Sequence, residues 1–368
     1  MNNISKFDHC YGCGVCTIIC PTHIIKMREN SDGFYQPSIT NIDKCINCGM
    51  CLDVCAFNHN EVAPKNVTDP HCYAAWSNNP NTRYNCSSGG IGYDVAEHLL
   101  SKGYKACGVR YNTTKQRAEH FISDNTEDYK QSIGSKYIPS FTTTGFSQIN
   151  KTDKFLITGT PCQIDSIRRY IQKKHIEHNF ILMDFFCHGV PSLLMWDKYL
   201  KTFESSNVTD ISWRNKKMGW HDSWAMSASK GNKEILFSLR SKGDIFYQMF
   251  LGHHCFAKAC YTNCKYKQLF SAADIRIGDL WGEKYQNNSQ GVSGLIALTP
   301  QGQQIVQELT QSTLHHEDEA IVLSGQMKDN AYKPWSYIPT MSLLKTALPL
   351  KTISFIARFI RFVEKRIK

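Results

Sequence analysis

The stretch Cys10-Tyr11-Gly12-Cys13-Gly14-Val15-Cys16-Thr17-Ile18-Ile19-Cys20-Pro21 returns as Cys45-Ile46-Asn47-Cys48-Gly49-Met50-Cys51-Leu52-Asp53-Val54-Cys55-Ala56, with identical cysteine gaps. Three thiols at two-residue gaps reach three irons of one 4Fe-4S cluster from a single loop, and the fourth thiol crosses to the other cluster. The expected ligand sets are therefore Cys10, Cys13, Cys16 and Cys55 for one cluster, and Cys45, Cys48, Cys51 and Cys20 for the second. Four thiolates also suit zinc, but zinc sites seldom use such a strict triple, and far less often twice. Ala56 stands where the first run has Pro21, which alters the turn and no ligand. A repeat this short buries little apolar area alone, so its two copies must share one core with the clusters as staples. The expectation is an α+β ferredoxin-like two-cluster domain over residues 1–62, with Asp32-Gly33-Phe34-Tyr35 turning into a short strand.

The rest of the 368-residue chain is long enough for at least one further core. A hydrophobic content of 42% with 20% charged residues is that of a folded protein. The first residues lack the apolar core of a secretory signal, and no run is long enough to span a bilayer. With sixteen cysteines and no export signal, metal ligation is the better reading than disulfides, and a cytoplasmic protein is expected. The formal charge of +10 is no argument for nucleic acid. Each cluster with its four thiolates carries about two negative charges, so three clusters would cut the excess to roughly +4.

Residues 63–71 are polar, carry Pro64 and Pro70, and read as a linker. Residues 72–345 change texture. Strand-like runs at 72–76, 105–111, 154–158 and 180–186 alternate with helical patterns such as 91–100, which argues for an α/β domain, divided at about residue 150. In such sheets ligands sit at the carboxyl ends of strands. Residues 346–368 form a tail in which Ile353, Ile356, Ile360, Val363 and Ile367 share one helical face and Arg358, Arg361, Lys365 and Lys368 another, with Phe355, Phe359 and Phe362 widening the apolar side. This basic amphipathic helix suits peripheral contact with an anionic membrane, closure of a domain, or contact with a partner.

Several groups in the α/β part could carry chemistry. Cys162, Cys187, Cys255, Cys260 and Cys264 are enough thiols for a third cluster or a redox pair, or are buried structural cysteines. Ser87-Ser88-Gly89-Gly90 at a helix start can offer N–H groups to a phosphate, or serve as a plain cap. Gly134-Ser135-Lys136-Tyr137 carries a cation that could face a phosphate or a flavin ring, or is a solvated turn. His188 is either a proton donor or a structural ring. Asp279 and Trp281 read as packing beneath the site.

Taken together, Tyr73-Ala74-Ala75-Trp76, the two loops above, Gly159-Thr160-Pro161-Cys162-Gln163, Cys187-His188-Gly189-Val190-Pro191, Gly219-Trp220 and Asp274-Ile275-Arg276-Ile277-Gly278-Asp279-Leu280-Trp281-Gly282 resemble the coenzyme F420 hydrogenase/dehydrogenase beta-subunit family, fused to an N-terminal two-cluster ferredoxin domain. The resemblance implies an α/β flavoprotein domain holding FAD. Ser87, Ser88, Gly89, Gly90, Gly134, Ser135, Lys136, Tyr137 and Gln163 are its implied contacts, and Lys136 is implied to steady the reduced ring. It also implies a third 4Fe-4S cluster on Cys162, Cys187, Cys260 and Cys264. The family's late pair is usually two residues apart, whereas three separate Cys260 from Cys264, and Cys255 is close enough to replace either.

The function implied is an oxidoreductase passing electrons between ferredoxin-type clusters and a flavin that reduces or oxidises a small organic substrate. By analogy with bacterial relatives, that substrate belongs to surface polysaccharide synthesis. Two rivals stand beside it: an electron-transfer subunit without a substrate of its own, and an oxidoreductase that uses coenzyme F420. The expected partners are ferredoxin or another redox protein and a small molecule.

Overall fold

The computed structural model describes residues 2–367. Strand β1 (Ile25–Glu29) and strand β2 (Tyr35–Ile39) form an antiparallel hairpin closed at Gly33, whose φ of 75° suits glycine alone. On either side of the hairpin lie the two cysteine runs. Each bends through two left-handed positions, Gly12 and Gly14 in the first (φ 69° and 74°) and Asn47 and Gly49 in the second (φ 51° and 74°). Each then enters a short helix, Val15–Ile19 or Met50–Asp53. The sequence repeat is thus a backbone repeat.

The remaining strands are β3 (His71–Ser77), β4 (Lys105–Asn112), β5 (Arg117–Ser123), β6 (Ser140–Phe141), β7 (Phe155–Thr158), β8 (Phe180–Phe185), β9 (Asp210–Ser212), β10 (Ala225–Lys230), β11 (Lys233–Leu239), β12 (Ile275–Asp279), β13 (Ser293–Ala297) and β14 (Ser312–His316). Nine of them make one sheet in the order β14-β3-β13-β12-β8-β7-β4-β5-β6, and β11-β10-β9 make a small antiparallel sheet. At the centre β12, β8, β7 and β4 run parallel, and the flanking β14, β3 and β13 pair antiparallel. The chain is therefore mixed α/β. Strands β7 and β8 are apolar through most of their length because helices cover both faces of the sheet there. A fully buried ion pair joins the middle strands: the Arg276 guanidinium donates to both Asp184 carboxylate oxygens at 2.7 Å.

One apolar cluster continues from the cysteine repeat into the sheet domain. Ile4, Val15, Ile19 and Val54 pack with Phe146, Ile164, Ile167 and Ile171. Much of the second group lies on the helix Pro161–Lys174, which starts from a capping box between Thr160 and Gln163 with Pro161 in its first turn. The two copies thus share their core with this helix as well as with each other. Residues 63–71 also differ from a free tether. Ala63 is buried, with its N–H donating to Asp165, and Lys65 donates to the carbonyls of Ser271 and Ala273. Proline-rich, polar composition hid this docking, since the partners are groups far along the chain.

The tail forms the helix Leu350–Ile367. Leu350, Ile353 and Ala357 are buried against the helices Tyr337–Leu344 and Ile245–Leu251, while Phe355, Phe359 and Phe362 face solvent. Lys368 lies outside the described residues. Among those described, no helix is long and apolar enough to cross a membrane.

Candidate functional site

The thiols fall into groups that the fold, more than the sequence order, assembles. Cys10, Cys13, Cys16 and Cys55 line one small void together with Gly14 and Phe57. They are close enough that ionisation of one raises the others, and burial pushes Cys10 and Cys55 up to about 12. Cys20 lies beside Cys51 of the other run, and Cys51 neighbours Cys48. The Asn3 amide donates to Cys45 Sγ at 3.5 Å. The buried, crowded thiols of the first set oppose their own ionisation, and iron would supply the compensating charge, so that donor set fits a 4Fe-4S cluster.

In the sheet domain a second group gathers from three separate segments. Cys162 lies in the first turn of the helix Pro161–Lys174, Cys187 follows β8, and Cys260 sits on the short helix Lys258–Thr262 with Cys264 just beyond. Cys187 and Cys260 both neighbour Cys162, Cys264 neighbours Cys187 and Cys260, and Cys162 in turn neighbours Cys13. Cys255 faces elsewhere. Its thiol is fully buried in the apolar cluster of Trp196, Phe246, Phe250 and Phe256, with no other thiol acting on it.

Beside these thiols opens a cavity of about 500 Å³ at the carboxyl ends of β7, β8 and β12. Its walls include Cys10, Tyr11 and Gly12 from the repeat, Cys187 and His188 after β8, and Asp279 and Trp281 at the end of β12. Ser87, Ser88, Gly90, Gly134, Ser135, Lys136, Tyr137 and Gln163 also line it. Gly89 does not; a Cβ there would meet the Ala75 carbonyl oxygen at 2.4 Å, so it packs back against β3.

The two loops singled out in the sequence meet. Ser135 donates to Ser87 Oγ from its N–H at 2.8 Å and from its hydroxyl at 2.9 Å. Gly90, with φ 91°, caps the helix Ile91–Ser101, whose first turn carries no side-chain cap. The Tyr93 and Asp94 N–H groups donate to the Gly90 carbonyl, and the N–H groups ahead of them have no side-chain cap. Lys136 is otherwise engaged: its ammonium reaches the carbonyls of Gln131, Ser132, Ile133 and Gly134 at 2.8–3.3 Å. Burial pulls its pKa down to about 7, while four carbonyl oxygens favour the charged form. Gln163 Oε1 accepts from the Thr160 N–H and its amide donates to Ser140, so it holds the helix entry at the cavity wall.

His188 reaches the cavity as half of an imidazole pair, its Nε2 being 2.8 Å from His253 Nε2. Burial and the neighbouring His253 pull its pKa down to about 3. The ring is neutral in this environment, so one of the two nitrogens donates and the other accepts.

Sequence reading missed two cations that hold the cavity together. Arg214 is fully buried and donates to both Asp279 oxygens at 2.7 and 3.2 Å, to Tyr137 Oη at 3.2 Å and to the Ser87 carbonyl at 3.2 Å. Lys216 donates to the carbonyls of Arg83, Ser88 and Gln290. Trp224 stacks on Tyr137 with centroids 5.3 Å apart. The only signal in the sequence was the basic, aromatic texture of 213–224, which has no fixed spacing to its partners.

A grouped set of thiols beside a ligand cavity defines an iron–sulfur protein of redox function. Residues 9–59 match the model of the 4Fe-4S dicluster domain, and residues 152–320 match that of the C terminus of the coenzyme F420 hydrogenase/dehydrogenase beta subunit. The chain thus carries an N-terminal 4Fe-4S dicluster segment and, over less than half of its length, a likeness to the C terminus of that beta subunit. Among solved structures, a chain of the F420-reducing [NiFe] hydrogenase complex from Methanosarcina barkeri is similar to it at 15% identity, covering 79% of this chain and 92% of that one with a TM-score of 0.49. No curated protein matches.

Proposed function

We propose that this protein is a ferredoxin-linked, FAD-dependent oxidoreductase acting on a small organic substrate. The observation that carries the reading is one cavity bounded by Cys10 and Cys187 on the thiol side and by the loops at Ser87 and Ser135 on the other. Its volume of about 500 Å³ is in the range of cofactor sites. A bound flavin exchanges electrons singly or in pairs, which is what joins iron–sulfur transfer to two-electron organic chemistry.

The chain's own residues divide the remaining work. Cys10, Cys13, Cys16 and Cys55 hold one cluster, and Cys45, Cys48, Cys51 and Cys20 a second. Cys162, Cys187, Cys260 and Cys264 hold a third, next to Cys13 on one side and the cavity on the other. N–H groups at the start of the helix Ile91–Ser101 take a phosphate, and the stacked Tyr137 and Trp224 rings form a flat wall. In the loop at 41–48, Ile42, Ile46 and Cys48 are exposed, so an external redox protein would meet the second quartet there.

Anaerobic analysis of iron, sulfide and flavin tests this. About twelve irons and one FAD per chain are expected from three clusters; about eight irons would remove the third cluster, and a preparation that neither retains nor takes up flavin would overturn the proposal. Turnover of a substrate panel by the isolated chain with reduced ferredoxin is then expected. Electron transfer to a partner without any turnover would assign the substrate-free subunit role instead, and bleaching by reduced deazaflavin would make coenzyme F420 the donor.

A further inference from the structure

We infer that the helix Leu350–Ile367 docks the protein on an anionic phospholipid surface, with Phe355, Phe359 and Phe362 entering the interface. Those three rings are 70%, 59% and 50% exposed, and their spacing of four and three residues sets them on one stripe. The opposite face is already used. Leu350, Ile353 and Ala357 are buried, and the Ser354 hydroxyl donates to Gln248 Oε1 at 3.1 Å, so the helix is anchored to the body and its aromatic stripe is held outward.

Charge decides what covers the stripe. Lys351, Arg358, Lys365 and Arg366 are exposed along it, and Arg366 lies 4.1 Å from the Phe362 ring. The one acidic residue in the helix, Glu364, is turned inward, where it accepts from Tyr332 and Arg361. Among the described residues of the helix, the outward face therefore offers aromatic carbon and cations and no side-chain carboxylate. A second copy of this chain would set like charges against each other, whereas anionic headgroups neutralise them while the three aromatic rings enter the acyl boundary.

The test is flotation of the full, cluster-loaded chain, kept anaerobic, with vesicles of phosphatidylcholine alone or doped with phosphatidylglycerol. Binding to the doped vesicles is expected, falling with salt. The triple change Phe355→Ser, Phe359→Ser and Phe362→Ser, and separately the pair Lys365→Glu and Arg366→Glu, should each weaken it at least about tenfold. Iron content should not change, because these side chains point away from the core. Failure to float with doped vesicles, or equal binding to both kinds, would overturn the inference. So would sedimentation showing that the triple change turns a dimer into a monomer.

Discussion

The two groups of cysteines use the same donor atom and are built in opposite ways. Those at 10–20 and 45–55 sit on short loops shaped by Gly12, Gly14, Asn47 and Gly49. By contrast, Cys162, Cys187, Cys260 and Cys264 are brought together from the start of a helix, the end of a strand and a late helical turn, segments far apart in the chain. Local spacing makes a site that depends on its metal, while a site set by a sheet should depend on the protein.

The strongest way to break this contrast is to strip the iron. Chelation should collapse amide protection over residues 10–55 by orders of magnitude while β7 and β8 keep theirs, as read by hydrogen exchange. Parallel loss in the sheet would show that the shared core makes one cooperative unit. Next in size, Arg214→Met leaves the largely covered Asp279 beside the cavity without its cation. About 3–5 kcal/mol of stability should go in denaturant unfolding, together with flavin retention, but with no loss of iron from the repeat. A smaller effect separates the late thiols. Cys255→Ala should cost about 1–2 kcal/mol as a packing defect and leave the iron count untouched, whereas Cys260→Ala should remove about four irons. If the two variants lost iron equally, the assignment to Cys260 would fail.

The smallest effect concerns pH. His120 is fully buried beside Phe146, and burial pulls its pKa down to about 4 from an ordinary 6.5. The unfolded chain therefore takes up a proton first. Stability is full above pH 6.5 and falls as the pH drops towards 4, at about 1.4 kcal/mol per pH unit for this one group. His120→Leu should flatten the fall by that amount in melts at a series of pH values. An unchanged slope would mean that the ring is already charged in the fold.

Legibility followed the same division. The 4Fe-4S domain could be read because its cysteine spacing is local, and the strand after Gly33 and the helix at 91 were readable from turn chemistry and period. The loops at Ser87 and Ser135 were recognisable one by one, but the Ser135–Ser87 bond that joins them spans 48 residues of sequence. Arg214 and Asp279 are 65 apart, and nothing local marks either as the other's partner. Lys136 shows the converse. Its type and loop suggested a cation facing a ligand, yet nearby carbonyls surround its ammonium, because a short turn closes on itself more readily than a lysine is held out to solvent. The antiparallel additions β13, β3 and β14 to the parallel centre were likewise unreadable, since register between distant strands leaves no periodic trace.

The helix Pro161–Lys174 carries Cys162 on its first turn and Ser166 one turn later, and Ser166 Oγ lies 3.2 Å from both Cys13 Sγ and the Ala56 N–H. A single helical turn is therefore the gauge between the N-terminal unit and the inner thiols. One residue inserted between those two positions would swing one against the other by about 100° and lengthen the rise by about 1.5 Å, so the junction tolerates substitution far better than any change of length.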